Sequence, residues 1–293
     1  MSSPERGRGR VRDRGGGRGA ADALRQASVY LILIVGAVLT LAPFVLSVMT
    51  SLKTPGQLAT QPALALPQPV TGQNYTQLLG AGTGFGHALG VTALVVVVVL
   101  VGQLAFSILA GFAFARLRFP GRDALFWVYL ATLMIPPSVT LVPLYLMLTE
   151  AGLRNTFWGI VLPYLFGSPY AVFLLREYFR GIPQDLVDAA RIDGAGSVRV
   201  LLQLVLPLSR PIIATLAIIT VVSHWNNFIW PLIITSGNTW QVVTVATASL
   251  QSQYNGNWTL VMAATTIAIA PLLVVFLVFQ RQIVRSIAIT GFR

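Results

Sequence analysis

Cysteine is absent from this chain, which excludes disulfides and thiolate metal centres. Histidine is nearly absent: His87 and His224 stand far apart and offer no metal-ligand spacing. Lysine occurs once, as Lys53 after Leu52. A phosphate-binding loop needs a Gly-Lys pair, so the chain has no such loop with which to hold ATP. Charge is scarce as well. Of the 293 residues 10% are charged and 55% are apolar, against about 25% charged in soluble proteins. A mean hydropathy of +0.73 points to a membrane protein before any motif is read.

What the sequence has instead is long apolar runs. Six can be read, at roughly 29–50, 88–113, 124–148, 157–178, 211–235 and 259–280. Each is near the ~20 residues needed to span a bilayer. Arg176 and Glu177 are the ionised residues inside them, and both sit at a span's end. Prolines 43, 136, 137, 143, 163, 169, 231 and 271 fall within these runs. Neighbouring transmembrane helices satisfy the backbone groups that such prolines free. The expected fold is an all-α membrane protein with six transmembrane helices, residues 29–293 forming the transmembrane domain.

Orientation follows from arginine. Lys plus Arg number 7 in the N-terminal tail, 3 in the 114–123 loop, 5 from Arg176 to Arg210 and 3 in the C-terminal tail. Lys53 and Arg154 remain for the other side. This asymmetry predicts both termini in the cytoplasm. Residues 1–28 include "PERGRGRVRDRGGGRG", a basic, glycine-rich stretch that predicts a disordered cytoplasmic tail. It superficially resembles an arginine-glycine RNA-binding tail, but a solvated tail that fixes topology accounts for it, and no nucleic-acid partner is expected. The apolar run after it is too long for a cleaved signal peptide.

One segment breaks the apolar pattern. Arg176 to Arg210 carries nine ionised residues of the 29 in the chain. Each would cost about 2.5–3.5 kcal/mol at the bilayer centre, so this segment lies outside the hydrocarbon. Its grammar predicts two short helices with a turn between them, in a loop over about 181–210. Pro183 suits a first turn and Asp185 complements the dipole there. "DLVDAARID" is helical and stops at Gly194, where glycine best adopts a left-handed cap. Ser197 is the expected cap of the second helix, with Val198, Leu201, Leu202 and Val205 as its apolar stripe. Pro207 and Pro211 mark the return to the membrane. A charged helical loop alone would explain the charge, but not this order of helix, glycine stop, amphipathic helix and Leu-Pro re-entry.

The segment "DAARIDGAGSVRVLLQLVLPLSRP" resembles the EAA loop of ABC importer permeases, of pattern E-A-A-x-x-D-G-A followed by L-P. "AGFAFARLRFPGR", "MIPPSVTLVPLYLMLTEAGLRNT", "FLLREYFRGIPQDL" and "WNNFIWPL" resemble the carbohydrate branch. They are most similar to the second permease subunit of maltose-type sugar importers. The resemblance covers residues 28–293. Asp188 stands where the family has Glu, Leu201 where it has Phe, and "HALGVT" opens the second span where it more often has Asn-Ser. The resemblance implies that Asp188, Ala189, Ala190, Asp193, Gly194 and Ala195 couple to a cytoplasmic ATPase dimer, which binds ATP and magnesium. This chain is then not an enzyme and carries no cofactor or metal. The implied partners are a second permease subunit, the ATPase dimer, an extracellular solute-binding protein and a sugar. The implied location is the bacterial inner (plasma) membrane, multi-pass.

Two other classes stay open. An ion-gradient-driven secondary transporter usually carries carboxylates within its spans, and here the acidic residues lie in tails, loops or span edges. A membrane enzyme or scaffold is the third class, but no nucleophile, base and orienter constellation is visible. For a substrate path the sequence offers Ser223, His224, Trp225, Asn226, Asn227 and Trp230 on the fifth span. Amides and aromatic faces suit a sugar. The same residue types also glue helices together and mark membrane interfaces.

Overall fold

The computed structural model describes residues 16–62, 64–80, 82–253 and 257–290, and side chains for 25–62, 64–80, 82–251 and 257–280. It is all helix and turn, with no strand among the described residues. The helices are α1 (Gly16–Ser51), α2 (Pro55–Thr60), α3 (Gln73–Leu79), α4 (Phe85–Arg116), α5 (Arg122–Ala131), α6 (Pro137–Glu150), α7 (Phe157–Leu165), α8 (Pro169–Arg180), α9 (Gln184–Ile192), α10 (Ser197–Val200), α11 (Leu206–Leu208), α12 (Arg210–Trp225), α13 (Ile229–Ile234), α14 (Val243–Gln253) and α15 (Trp258–Thr290).

Four helical stretches are long and apolar enough to cross a membrane: Arg25–Ser51, Phe85–Arg116, Phe157–Arg180 and Trp258–Gln280. Two bent pairs raise the number to six if each is one span. Arg122–Met134 meets Pro137–Glu150 at 100°, and Ser197–Leu208 meets Arg210–Trp225 at 80°. The first bend has a local cause. Ile135 and Pro136 each precede a proline and are driven out of the α region, with ψ of 115° and 135°.

Three departures from the sequence expectation have physical reasons. Residues 16–28 are helical as the start of α1, because Ala20, Ala21, Ala23, Leu24 and Arg25 are strong helix formers. Residues 1–15 of the expected tail lie outside the described residues. The 211–235 run is two helices rather than one: α12 ends at Trp225 and α13 starts at Ile229. Pro231 has no N–H to offer the carbonyl of Asn227, and the Thr244 hydroxyl donates to it instead at 2.7 Å. The second loop helix is capped at Gly196, not Ser197. Its apolar stripe is also displaced: Val200, Leu201 and Val205 are buried while Val198 and Leu202 are exposed. A π turn over Leu201–Val205 widens the helical repeat and rotates Leu202 outward.

α4 is the centre of the bundle, crossing α7, α8 and α12. Two glycines permit the close crossings. A Cβ at Gly102 would lie 2.3 Å from Leu165 Cδ1, and one at Gly111 would lie 2.9 Å from Leu175 Cβ. Between α7 and α8 the chain breaks at Gly167, with φ +100°, and the buried Ser107 of α4 accepts the Ser168 N–H at 3.1 Å. α1 contributes little to this core. Its Leu31, Ile32, Leu33 and Leu39 are exposed.

Candidate functional site

The charged loop is built as a rigid unit. Gly194 has φ +83° and follows α9 in the position that favours glycine. Two backbone bonds close the helix end around it. Gly194 N–H donates to the Arg191 carbonyl at 3.0 Å, and Ala195 N–H donates to the Ala190 carbonyl at 2.9 Å. This is the Schellman arrangement, in which the last helical carbonyls are satisfied across a left-handed residue. Ala190 and Ala195 are half-buried and pack on a core cluster of Phe112, Leu175, Phe179, Ile182, Val187, Val200, Leu201 and Val205 among others. The loop is therefore fixed to the ends of α4 and α8 by apolar packing.

A polar chain adds a second attachment. Arg116, the last residue of α4, donates to the side-chain oxygen of Gln184 and to the carbonyls of Phe179 and Ile182. Gln184 Nε2 donates to Asp188 Oδ1 at 2.9 Å, and Arg191 lies 3.7 Å from the same oxygen. Asp188, Ala189, Asp193 and Gly194 are exposed. So are three large apolar side chains, with Ile192 at 87%, Val198 at 71% and Leu202 at 56% exposure. The loop thus presents Asp188 and an apolar tip outward from a held base. Arg116 and Gln184 were not singled out by sequence reasoning. The signal for Arg116 was a cation at a span's C-terminal end, but its partners lie 63 to 68 residues away.

The six polar and aromatic candidates on the 211–235 run separate into two groups. Trp225 and Trp230 are buried and hold helices together: Trp225 Nε1 donates to the Ala268 carbonyl at 2.9 Å, and Trp230 Nε1 to the Gly159 carbonyl at 3.1 Å. The others face cavities. Asn226, Asn227 and an edge of Trp230 line a cavity of about 770 Å³ with Pro137, Ser138, Thr140 and Tyr164. Ser223 and His224 line an adjoining cavity of about 250 Å³ with Gln103, Thr220 and, again, Tyr164. The His224 ring meets the Tyr164 ring edge-on, with the ring centres 4.7 Å apart. The break after Trp225 puts non-helical backbone where it lines a cavity, as membrane proteins require. Sequence reasoning missed Tyr164, Gln103 and Thr220. The Gln103–Thr220 pair, at 3.1 Å and buried, was signalled by an amide in an otherwise apolar run.

Every Asp and Glu whose side chain is described, from Asp123 to Asp193, is exposed, and among the described residues no three His, Asp or Glu gather as a metal site. Buried carboxylates for proton or sodium coupling are therefore not among them, and the ion-gradient reading is unsupported. Lys53 is buried on the Pro62 carbonyl at 3.4 Å, in a segment that Asn74 clamps through the carbonyls of Ser51 and Lys53.

Comparison with known proteins agrees with this geometry. The chain is 34% identical over 265 residues to the sn-glycerol-3-phosphate transport system permease protein UgpE of Yersinia pestis, covering 88% of this chain and 94% of that one. It is 32% identical over 281 residues to the diacetylchitobiose uptake system permease protein NgcG of Streptomyces coelicolor, covering 94% and 92%. Its fold matches a chain of a bacterial ABC transporter involved in the import of the acidic polysaccharide alginate. There the TM-score is 0.81 and the identity 21%, covering 89% of this chain and 97% of that one. Residues 103–289, which contain the loop and both cavities, match the family of permease components described as "Binding-protein-dependent transport system inner membrane component". The chain belongs to that family.

Proposed function

We propose that this chain is one of two transmembrane subunits of an ATP-driven importer, placed in the bacterial inner membrane and moving a sugar or sugar-like solute. The observation that carries the reading is the loop from Gln184 to Leu208. It is held to α4 by Arg116 and to the core by Val187, Val200, Leu201 and Val205, yet it offers Asp188, Ile192 and Val198 outward. A lever with a fixed base and an apolar, charged tip fits a cleft on a cytoplasmic ATPase. Closure of an ATPase dimer on ATP and magnesium then moves α4 and α8 through contacts that do not yield independently.

The arginine asymmetry supports six spans with both termini in the cytoplasm, with the bent pair Arg122–Met134 and Pro137–Glu150 counting as one span and the fifth span starting at Arg210, after the loop. A second permease would cover the exposed apolar face of α1 and close the open side of the larger cavity. An extracellular binding protein would deliver the solute. The relatives' names refer to sn-glycerol-3-phosphate and diacetylchitobiose, which share a polyhydroxylated skeleton. Ser138, Thr140, Asn226 and Asn227 supply hydroxyl and amide partners for such a skeleton, and Tyr164 and Trp230 supply aromatic faces.

The test is reconstitution of the whole importer in liposomes. Uptake of a radiolabelled saccharide should require ATP on the loop side and the binding protein on the other. Uptake by this chain alone, driven by an ion gradient without ATP, would refute the reading.

A further inference from the structure

A second surface on this chain has chemistry that transport does not use. Between α4 and α5, Arg118, Phe119, Gly121, Arg122, Asp123 and Ala124 surround an open notch of about 480 Å³. Arg176 lies beneath it, 11% exposed, with its guanidinium 4.0 Å from the centroid of the Phe126 ring and its nitrogens 3.6 Å from Asp123 and 2.7 Å from Glu177. Arg122 pairs with Asp123 at 3.1 Å and Arg180 with Glu177 at 3.7 Å. Four guanidinium groups thus face two carboxylates. Arg118 is exposed and has no ion-pair or hydrogen-bond partner among the described residues. An excess of positive charge is left at the mouth of the notch.

The helix leading away from the notch is apolar and uncovered. Ala124 starts a stripe that continues through Trp127, Val128 and Ala131, all exposed, with Leu125 beside it. Trp127 is 67% exposed, one helical turn from the arginines. Its neighbour Phe126 faces the opposite way and is buried under Arg176. A basic recess at the head of an uncovered apolar stripe matches a ligand with an anionic head and hydrocarbon tails. Guanidinium groups bind phosphate oxygens in a fork geometry that ammonium groups cannot reproduce. Tryptophan favours the depth where headgroups meet hydrocarbon.

We propose that the Arg118–Arg122 notch holds the phosphate of an anionic phospholipid whose acyl chains lie along the Ala124–Ala131 face of α5. The site rests on the reading of α5 as a lipid-facing membrane segment. Bound at this point, the lipid sits beside the Asp123–Arg176–Glu177 ion pairs at the end of α8, which leads into the loop.

The experiment uses the full chain purified in mild detergent. Retention of phosphatidylglycerol is compared with that of phosphatidylcholine by native mass spectrometry. The wild-type chain should retain phosphatidylglycerol in preference, and millimolar inorganic phosphate should not displace it. With both arginines changed to glutamine (R118Q with R122Q), affinity should fall about 30-fold, taking ~1 kcal/mol per arginine near the membrane surface. The Arg118→Lys variant, which keeps the charge but loses the fork, should fall between the wild type and the double variant, and Arg154→Gln, on a different loop, should change nothing. Equal retention of both lipids by the wild type overturns the proposal without any variant having to fold. Displacement by free phosphate would make the notch an anion site and also overturns it. A double variant that binds phosphatidylglycerol normally but, in the assembled importer, loses the ATPase would show a protein contact instead and overturns the proposal. Failure of α5 to contact lipid at all, read by a spin label at Val128, would remove the membrane-face reading itself.

Discussion

The guanidinium of Arg116 donates to the side-chain oxygen of Gln184, joining the last residue of α4 to the first residue of α9 across 68 positions of sequence. The same group satisfies the carbonyls of Phe179 and Ile182, so one side chain fixes the entry of the loop to the central helix of the bundle. Removing it leaves polar groups without partners, at about 1–3 kcal/mol each where they are buried. In the Arg116→Ala variant, amide hydrogen exchange across residues 179–192 should accelerate and transport should fall at least tenfold, while membrane insertion stays normal. Arg116→Lys should behave nearly as badly, because the donors of a single ammonium nitrogen cannot reproduce the planar, two-pronged fork with which the guanidinium reaches its three acceptors. Unchanged exchange over 179–192 would contradict the anchoring role.

Gly194 offers a test of backbone geometry separated from packing. A Cβ added there would meet nothing within 4 Å, yet φ is +83°. The cost of substitution is therefore conformational, about 1–2 kcal/mol for an ordinary side chain in the left-handed region. Transport should decline in the order Gly194→Asn, Gly194→Ala, Gly194→Val, following the tolerance of each residue for that region. Asp188→Lys should also lose transport, but by charge, so a compensating charge change on the ATPase should rescue it and should not rescue Gly194→Val. Equal rescue of both would mean that the glycine does not aim the helix.

The close crossings of α4 predict a stability pattern. Gly102→Ala would press on Leu165 and Gly111→Ala on Leu175, each costing about 1–3 kcal/mol as overpacking. Gly90, where an added Cβ meets nothing within 4 Å, should accept alanine with no loss and a gain of about 0.5–1 kcal/mol. Thermal unfolding of the three variants in one detergent is the check. Tm should drop for the first two and hold or rise for the third.

The two tryptophans and the two asparagines on the broken run should separate by readout. Trp230→Ala removes a buried ring and its bond to the Gly159 carbonyl, and should cost about 3–5 kcal/mol of stability. Asn227→Ala and Tyr164→Phe should leave yield and Tm nearly unchanged and lower uptake severalfold, if the larger cavity is the solute path. A fall in yield for Asn227→Ala equal to that for Trp230→Ala would assign Asn227 to structure rather than to passage.

Much of this architecture was legible because the signals are local. Gly194 announced a helix stop, and apolar runs announced membrane helices. Where readings failed, the deciding partner was distant. Thr244 takes the carbonyl that Pro231 leaves, which splits the 211–235 run. The Gly159 carbonyl also holds the buried Trp230 ring, which lines the larger cavity as well, a double role that no local pattern announces. The π turn at Leu201–Val205 rotated Leu202 to the surface, and period-3.6 reasoning has no means to anticipate an inserted residue. Arg116 and Gln184 each sit in an unremarkable local context, and their pairing exists only once α4 and α9 are packed.

The central claim is that the loop tip is the contact through which an ATPase drives this chain. Ile192, 87% exposed at the end of α9, is the position to interrogate, and the chain's lack of cysteine makes a single introduced thiol unique. With Ile192→Cys in the assembled importer, a short bifunctional thiol reagent should join this chain to a single-cysteine ATPase subunit, with a yield that changes between the nucleotide-free and ATP-trapped states. Transport should be lost once the link has formed. If no link forms from Ile192 in either state, or if the linked importer transports at the wild-type rate, the loop is a solvated connector and the coupling mechanism is wrong.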